Sequence, residues 1–207
     1  MKETKLELDR LVFFSDAVVA IAITLLALDL KVDTSVNGHL TFRDLGNSWP
    51  KFNGFFLSFI IIALFWRKHH NFFSHIKNID SKLIKMNIRW LLFIVLLPFS
   101  SSLITSHLLD QPAILFYCLN VLFLTLFQNR IWVYVTTKQG FLKENTSQAE
   151  IDDNRLYCTV AMINALIATA ISFLSPIAAF IILFARIPML FVAKKLLSQE
   201  YYENNIK

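Results

Sequence analysis

Glycine and cysteine are scarce in this chain, with four and two residues among 207, and charged residues make up only 17%. Cys118 and Cys158 both fall inside apolar blocks, so a disulfide framework is excluded in favour of two buried thiols. No low-complexity tract or linker sets off a soluble domain. No nucleophile–base arrangement is evident, and the isolated hydroxyls have no activating partner, so no enzyme chemistry is expected. His69, His70 and His75 contain no i, i+4 pair, and Asp80 beyond them is expected to be solvated. Neither a metal site nor a cofactor is expected.

What is present is apolar. Hydrophobic residues make up 56% of the chain and include twenty Phe, against roughly 45–50% in soluble domains. They gather in six blocks at 11–32, 52–73, 87–108, 113–136, 156–174 and 177–195. Each is near the ~20 residues that a membrane-spanning helix needs. None alternates like a barrel strand, so helices are the only sensible spanning element. The expectation is an all-α membrane protein with six transmembrane helices in one domain over 1–207. Ser175-Pro176 alone separates the last two blocks, and five helices with one bent terminal span is the alternative. Arg186 before Pro188 is expected to end or bend the final helix.

Basic residues are distributed unevenly. Fifteen of them flank one side of the blocks, including Arg67, Lys68, Lys77, Lys82, Lys85 and Arg89 around the second connection; Lys31, Arg43 and Lys51 lie on the other. Such asymmetry marks the cytoplasmic side, so both termini should be cytoplasmic in a multi-pass protein of the cell membrane. The net charge of +5 then reflects topology and a lipid bilayer partner, with no nucleic-acid partner implied.

The first block, RLVFFSDAVVAIAITLLALDLKV over 10–32, carries the most information. On a helix of ~100° per residue, Ile21, Leu25 and Leu28 share one face. Phe14 and Ala17 extend that face, with Arg10 below it and Thr24 on its shoulder. Ser15 and Asp16 point to the opposite half. The stripe suits contact with lipid or neighbouring helices. It equally suits apolar rings around an axis where copies converge, since a hydrophobic constriction can gate by dewetting.

Arg10-x3-Phe14-Ser15-Asp16 followed by Ala20-Ile21-Ala22-Ile23-Thr24-Leu25-Leu26 resembles the first-helix signature of the transmembrane protein 175 family. Phe65-Trp66-Arg67-Lys68-His69-His70-Asn71-x-Phe73 and Leu97-Pro98-Phe99 are similar to further family elements. These are lysosomal potassium channels in animals, with shorter relatives in bacteria and archaea, and the chain length suits one family repeat. The resemblance implies a homotetrameric potassium channel without a pore loop, lined by the first helix of each subunit, with potassium as the permeant ion. It assigns the pore constriction to Ile21, Leu25 and Leu28 and potassium preference to Thr24. Ala27-Leu28-Asp29 departs from the bulkier residues common in relatives, which leaves Leu28 the least certain ring. The chain has no TVGYG, and Gly38, Gly46, Gly54 and Gly140 lie in loops or at block ends. A carbonyl filter is therefore not expected, and selectivity should be modest.

A lone carboxylate at membrane depth must be paired or protonated. Candidate partners for Asp16 are Trp66 and His69 or His70, with Arg10 as a nearby cation. With Ser15 these residues form an expected polar network that clamps the first helix to the second. The rival reading is a proton pathway or proton-coupled transporter that uses Asp16 and the two histidines. The uninterrupted first helix counts against transport by alternating access.

Overall fold

The computed structural model describes residues 2–32, 39–107, 110–186 and 188–195. Every regular element among the described residues is helical, apart from one isolated bridge between Ile76 and Leu142. In chain order the helices are α1 (Lys2–Leu25), continued by a 3-10 turn (Leu26–Asp29), α2 (Phe42–Asn47), α3 (Trp49–Ser74), α4 (Ser81–Ser106), α5 (Gln111–Thr137), α6 (Gln148–Ile171), α7 (Pro176–Phe184) and α8 (Pro188–Lys195).

Among the described residues each of the six apolar blocks is mostly helix, but the blocks are not equal as spans. Among the described residues four helices are long and apolar enough to cross a membrane: Lys5–Leu28, Ser81–Ser106, Gln111–Thr137 and Gln148–Ile171. The bent pair α7 and α8, meeting at 55°, makes a fifth if taken as one span. α3 has the length, but its apolar run at 55–66 sits between Pro50-Lys51 and Arg67-Lys68-His69-His70-Asn71. The last two blocks are separate helices. α6 ends at Ile171, and Ser175 caps α7 by accepting from the amide of Ala178, with Pro176 at the first turn.

Several helices start earlier than hydropathy suggests. Asp80 accepts from the amide of Leu83 and opens α4 before its apolar block begins. Ser147 and Glu150 form a capping box that opens α6 in polar sequence. Capping satisfies the orphan amides of the first turn, so these helices begin where the caps lie, outside the apolar core. The connection between the first two apolar blocks holds a short helix as well, α2, with its own capping box from Thr41 and Asp44; residues 33–38 lie outside the described residues.

α4 and α5 form the centre of the bundle. α6 packs on α5, and α7 on both α5 and α6. α1 lies at the other edge, against α4 and α3. Gly54, expected at a block end, is inside α3. A β-carbon there would meet Thr105 Cγ2 of α4 at 2.0 Å, so only glycine permits this approach. The connections after α3 and α5 are tied together: the amide of Lys77 donates to Phe141 O at 2.8 Å, and that of Lys143 to His75 O at 2.9 Å. Gly140 turns the second of these with φ of 75°.

Candidate functional site

α1 has two unequal faces. Leu8, Leu11, Ser15, Val19, Ala22 and Leu26 are buried at helical spacing against α3 and α4. The other face, more than half the circumference, is left open. Of the four long apolar helices α1 has the smallest buried share, 28% against 44–50%.

The stripe expected from the helical wheel lies on this open face. Ile21 is 59% exposed, Leu25 38% and Leu28 67%. Phe14 and Ala17 continue it toward the basic end, where Arg10 is exposed. Leu28 belongs to the 3-10 turn rather than the α-helix. With 3.0 residues per turn instead of 3.6, its direction shifts from the stripe that a continuous α-helix would give. Thr24 is exposed, and its hydroxyl donates to the carbonyl of Ile21 at 2.8 Å. That bond uses the only hydroxyl proton, so the side the oxygen turns outward carries lone pairs alone.

The opposite face is anchored by polar contacts. Ser15 is fully buried; its hydroxyl donates to Leu11 O at 2.8 Å and accepts from Asn87 Nδ2 at 2.8 Å. Asn87 Oδ1 in turn lies 2.7 Å from His69 Nε2. With the amide nitrogen committed to Ser15, this oxygen is the acceptor and His69 carries a proton on Nε2. The His69 ring is stacked between Trp90 and Phe73, with centroids at 4.2 and 4.3 Å. One chain of contacts thus joins α1, α4 and α3.

Asp16 sits at the margin of this face, half-buried, and accepts from Trp66 Nε1 at 2.8 Å. Of the partners expected for it, Trp66 makes the bond and His69 is engaged elsewhere. His70 is exposed and meets the Trp66 ring at 5.7 Å. Arg10 makes no hydrogen bond or ion pair among the described residues, so it is not joined to the network. Its position a turn and a half below Asp16 on the open face turns it away from the carboxylate. Asn87 and Trp90 are the residues that sequence reasoning missed. A lone amide at the edge of an apolar block was the available signal.

The model of the family described as endosomal/lysosomal potassium channel TMEM175 matches residues 10–98. A crystal structure from Chamaesiphon minutus, of a homologue of the lysosomal potassium-selective channel TMEM175, superposes with a TM-score of 0.76 at 27% identity. It covers 91% of this chain and 97% of its own. Residues 10–98 are thus similar to the TMEM175 family model, and the fold is similar to that of a TMEM175 homologue over nearly the whole chain. A protein of Streptomyces collinus named as a potassium channel is 34% identical over 107 residues, 52% of either chain, so the match spans about half of that relative. The bovine endosomal/lysosomal proton channel TMEM175 is 31% identical over 146 residues, 64% of this chain and 30% of its own. The stretch matched by the TMEM175 model contains α1 from Arg10 onward and the residues of the polar network, Ser15, Asp16, Trp66, His69, Asn87 and Trp90.

Proposed function

We propose that this chain is one subunit of a potassium-preferring cation channel of the cell membrane, with both termini cytoplasmic. The whole chain acts as one six-helix domain, with α3 and the α7–α8 pair completing the spans. Four copies converge their first helices on an axis. The observation that carries this reading is the asymmetry of α1: one face is fixed by hydrogen bonds while Ile21, Thr24, Leu25 and Leu28 stay open. A helix that only anchored in lipid would not need its orientation set by a buried Ser–Asn–His chain. Fixing the rotation of α1 matters most where the side chains at 21, 24, 25 and 28 must meet their symmetry mates. The names of the Streptomyces and Chamaesiphon relatives support potassium as the ion.

In this reading Ile21 and Leu25, with Leu28 at the outer end, form apolar rings that hinder a hydrated ion until they widen. Thr24 presents a ring of hydroxyl oxygens between them. Because each hydroxyl proton is held by the Ile21 carbonyl, the oxygens can only accept, which suits contact with a cation and partial loss of its water. Discrimination then rests on pore width and dehydration cost, and it is modest. Ser15, Asp16, Trp66 and His69 act as positioning residues; His70 and Arg10 lie at the periphery.

Recording single channels from purified protein in planar bilayers under opposed potassium and sodium gradients tests the reading. A reversal potential displaced toward that of potassium is expected. Absence of ion currents from correctly assembled protein sinks it.

Proton conduction is the second reading, favoured by the proton-channel name of the bovine relative and by the half-buried Asp16. A reversal potential that follows an imposed pH gradient, and is lost in Asp16→Asn, would favour it over potassium conduction.

A further inference from the structure

At the basic end of the bundle a groove of about 710 Å³ opens between α4 and α5. Lys82, Lys85 and Arg89 line it from α4, at i, i+3 and i+7, and Arg130 from α5. No carboxylate lines it. The floor is apolar, from Met86, Phe127 and Val133. Asp80, two residues before Lys82, is already engaged by Tyr134 and Lys138. Lys82 rests over the Tyr134 ring at 4.6 Å, whereas Lys85, Arg89 and Arg130 make no hydrogen bond, ion pair or ring contact among the described residues.

The depth of the two arginines is the informative feature. Measured from the ends of the apolar blocks at 87 and 136, Arg89 lies about 3 Å and Arg130 about 9 Å inside, from the rise per residue. Both are exposed, on helices long and apolar enough to span a membrane. Unpaired guanidinium groups at the edge of the apolar zone call for an anionic partner. The membrane itself supplies one, at the right level, in the phosphates of anionic lipids. Arginine forks match phosphate oxygens in pairs, and the apolar floor can take the start of an acyl chain.

We propose that this groove is a binding site for the phosphodiester headgroup of an anionic phospholipid in the leaflet meeting the basic end of the bundle. Arg89 and Arg130 hold the phosphate, and Lys82 and Lys85 add charge at the rim. The site is separate from the open face of α1 and does not depend on conduction.

The test is native mass spectrometry of the detergent-purified full chain titrated with phosphatidylglycerol or phosphatidylcholine. Arg89→Gln with Arg130→Gln should weaken retention of phosphatidylglycerol about tenfold or more and leave phosphatidylcholine unchanged. Arg89→Lys with Arg130→Lys should recover part of it. Lys5→Gln with Lys143→Gln removes the same charge outside the groove and should have little effect. Equal loss in both glutamine pairs, or no loss in either, overturns the proposal; so does full competition by millimolar inorganic phosphate, which would mark a free-anion site. Should the arginine variants fail to fold, thermal stabilisation of the wild type decides. Phosphatidylglycerol must stabilise it more than phosphatidylcholine, and equal stabilisation by the two lipids also overturns the proposal.

Discussion

Trp66 Nε1 donates to Asp16 Oδ1 at 2.8 Å, so the residue after buried Ser15 is held by α3 while Ser15 itself is held by α4. Two different helices thus grip adjacent residues of α1. The grip fixes the rotation of α1 about its own axis more tightly than either bond alone. Trp66→Phe keeps the ring and removes the donor. We expect a loss of about 1 kcal/mol, typical of an interhelical bond in a membrane. A lower unfolding temperature in detergent, with no change in oligomer elution, would register it; an unchanged temperature counts against a clamp.

Asn87→Leu strikes harder. It leaves Ser15 and His69 without their shared partner at a site where both are buried. The cost of stranded buried polar groups is about 1–3 kcal/mol each. Chemical denaturation followed by tryptophan fluorescence should show the larger effect of the two variants.

Gly54→Ala places a methyl group at the position 2.0 Å from Thr105 Cγ2. The helices must separate or Thr105 must rotate, at a cost of about 1–3 kcal/mol. Pairing it with Thr105→Ser, which deletes the obstructing methyl, should restore most of the stability. Failure of that rescue would move the explanation away from the α3–α4 approach.

Ile21→Asn and Leu25→Asn each put an amide in the proposed apolar ring. Basal potassium current should rise several-fold as the constriction becomes easier to wet. Thr24→Ala should instead reduce potassium-over-sodium preference. Wild-type conductance and selectivity in all three variants would remove the pore assignment.

Asp80 carries a pH dependence outside the spans. Partial burial pushes its carboxyl up, but hydrogen bonds from Lys138, Tyr134 and the Leu83 amide, with the Lys138 charge, outweigh this and hold it at about 2. Because the folded value lies below the ordinary 3.8, the stabilisation is complete above that value. It is lost as pH falls from about 4 toward 2. Asp80→Asn should cost about 1 kcal/mol near neutrality after allowance for solvent screening. Wild type and variant should converge in unfolding free energy at the acid end of a pH series.

The division of α1 into faces was readable from the sequence, because 3.6-residue periodicity decides which side chains share a side. That Ile21, Leu25 and Leu28 share a face follows from that spacing; that the face is open is decided by packing. Leu28 is the exception in detail, since the change to a 3-10 turn has no signature in a run of Leu and Ala. The partners of the polar residues were less legible. Asp16 with Trp66 could be anticipated because their depths agree, but the Ser15–Asn87–His69 chain depends on which of two adjacent histidines turns inward. That choice is made by stacking between Trp90 and Phe73, a tertiary contact without local pattern. The Ser58–Ser101 pair, 2.6 Å apart, is equally invisible in sequence. The early starts of α4 and α6 were encoded, in Asp80 and in Ser147-x-x-Glu150, but a hydropathy window weighs apolar residues and not caps.

The tie between the two loops at the basic end has a mechanical consequence. Hydrogen bonds at Lys77 and Lys143 bind the connection after α3 to the connection after α5. The surface of α1 beside this tie runs from Lys5 to Phe13. A tilt of α3 against α5 would therefore pivot near this tie. Displacement grows along the lever arm toward the far end, where Leu25 and Leu28 project. A small rocking of the bundle would thereby be larger at Leu25 and Leu28 than at Ser15 and Asp16, which lie nearer the tie.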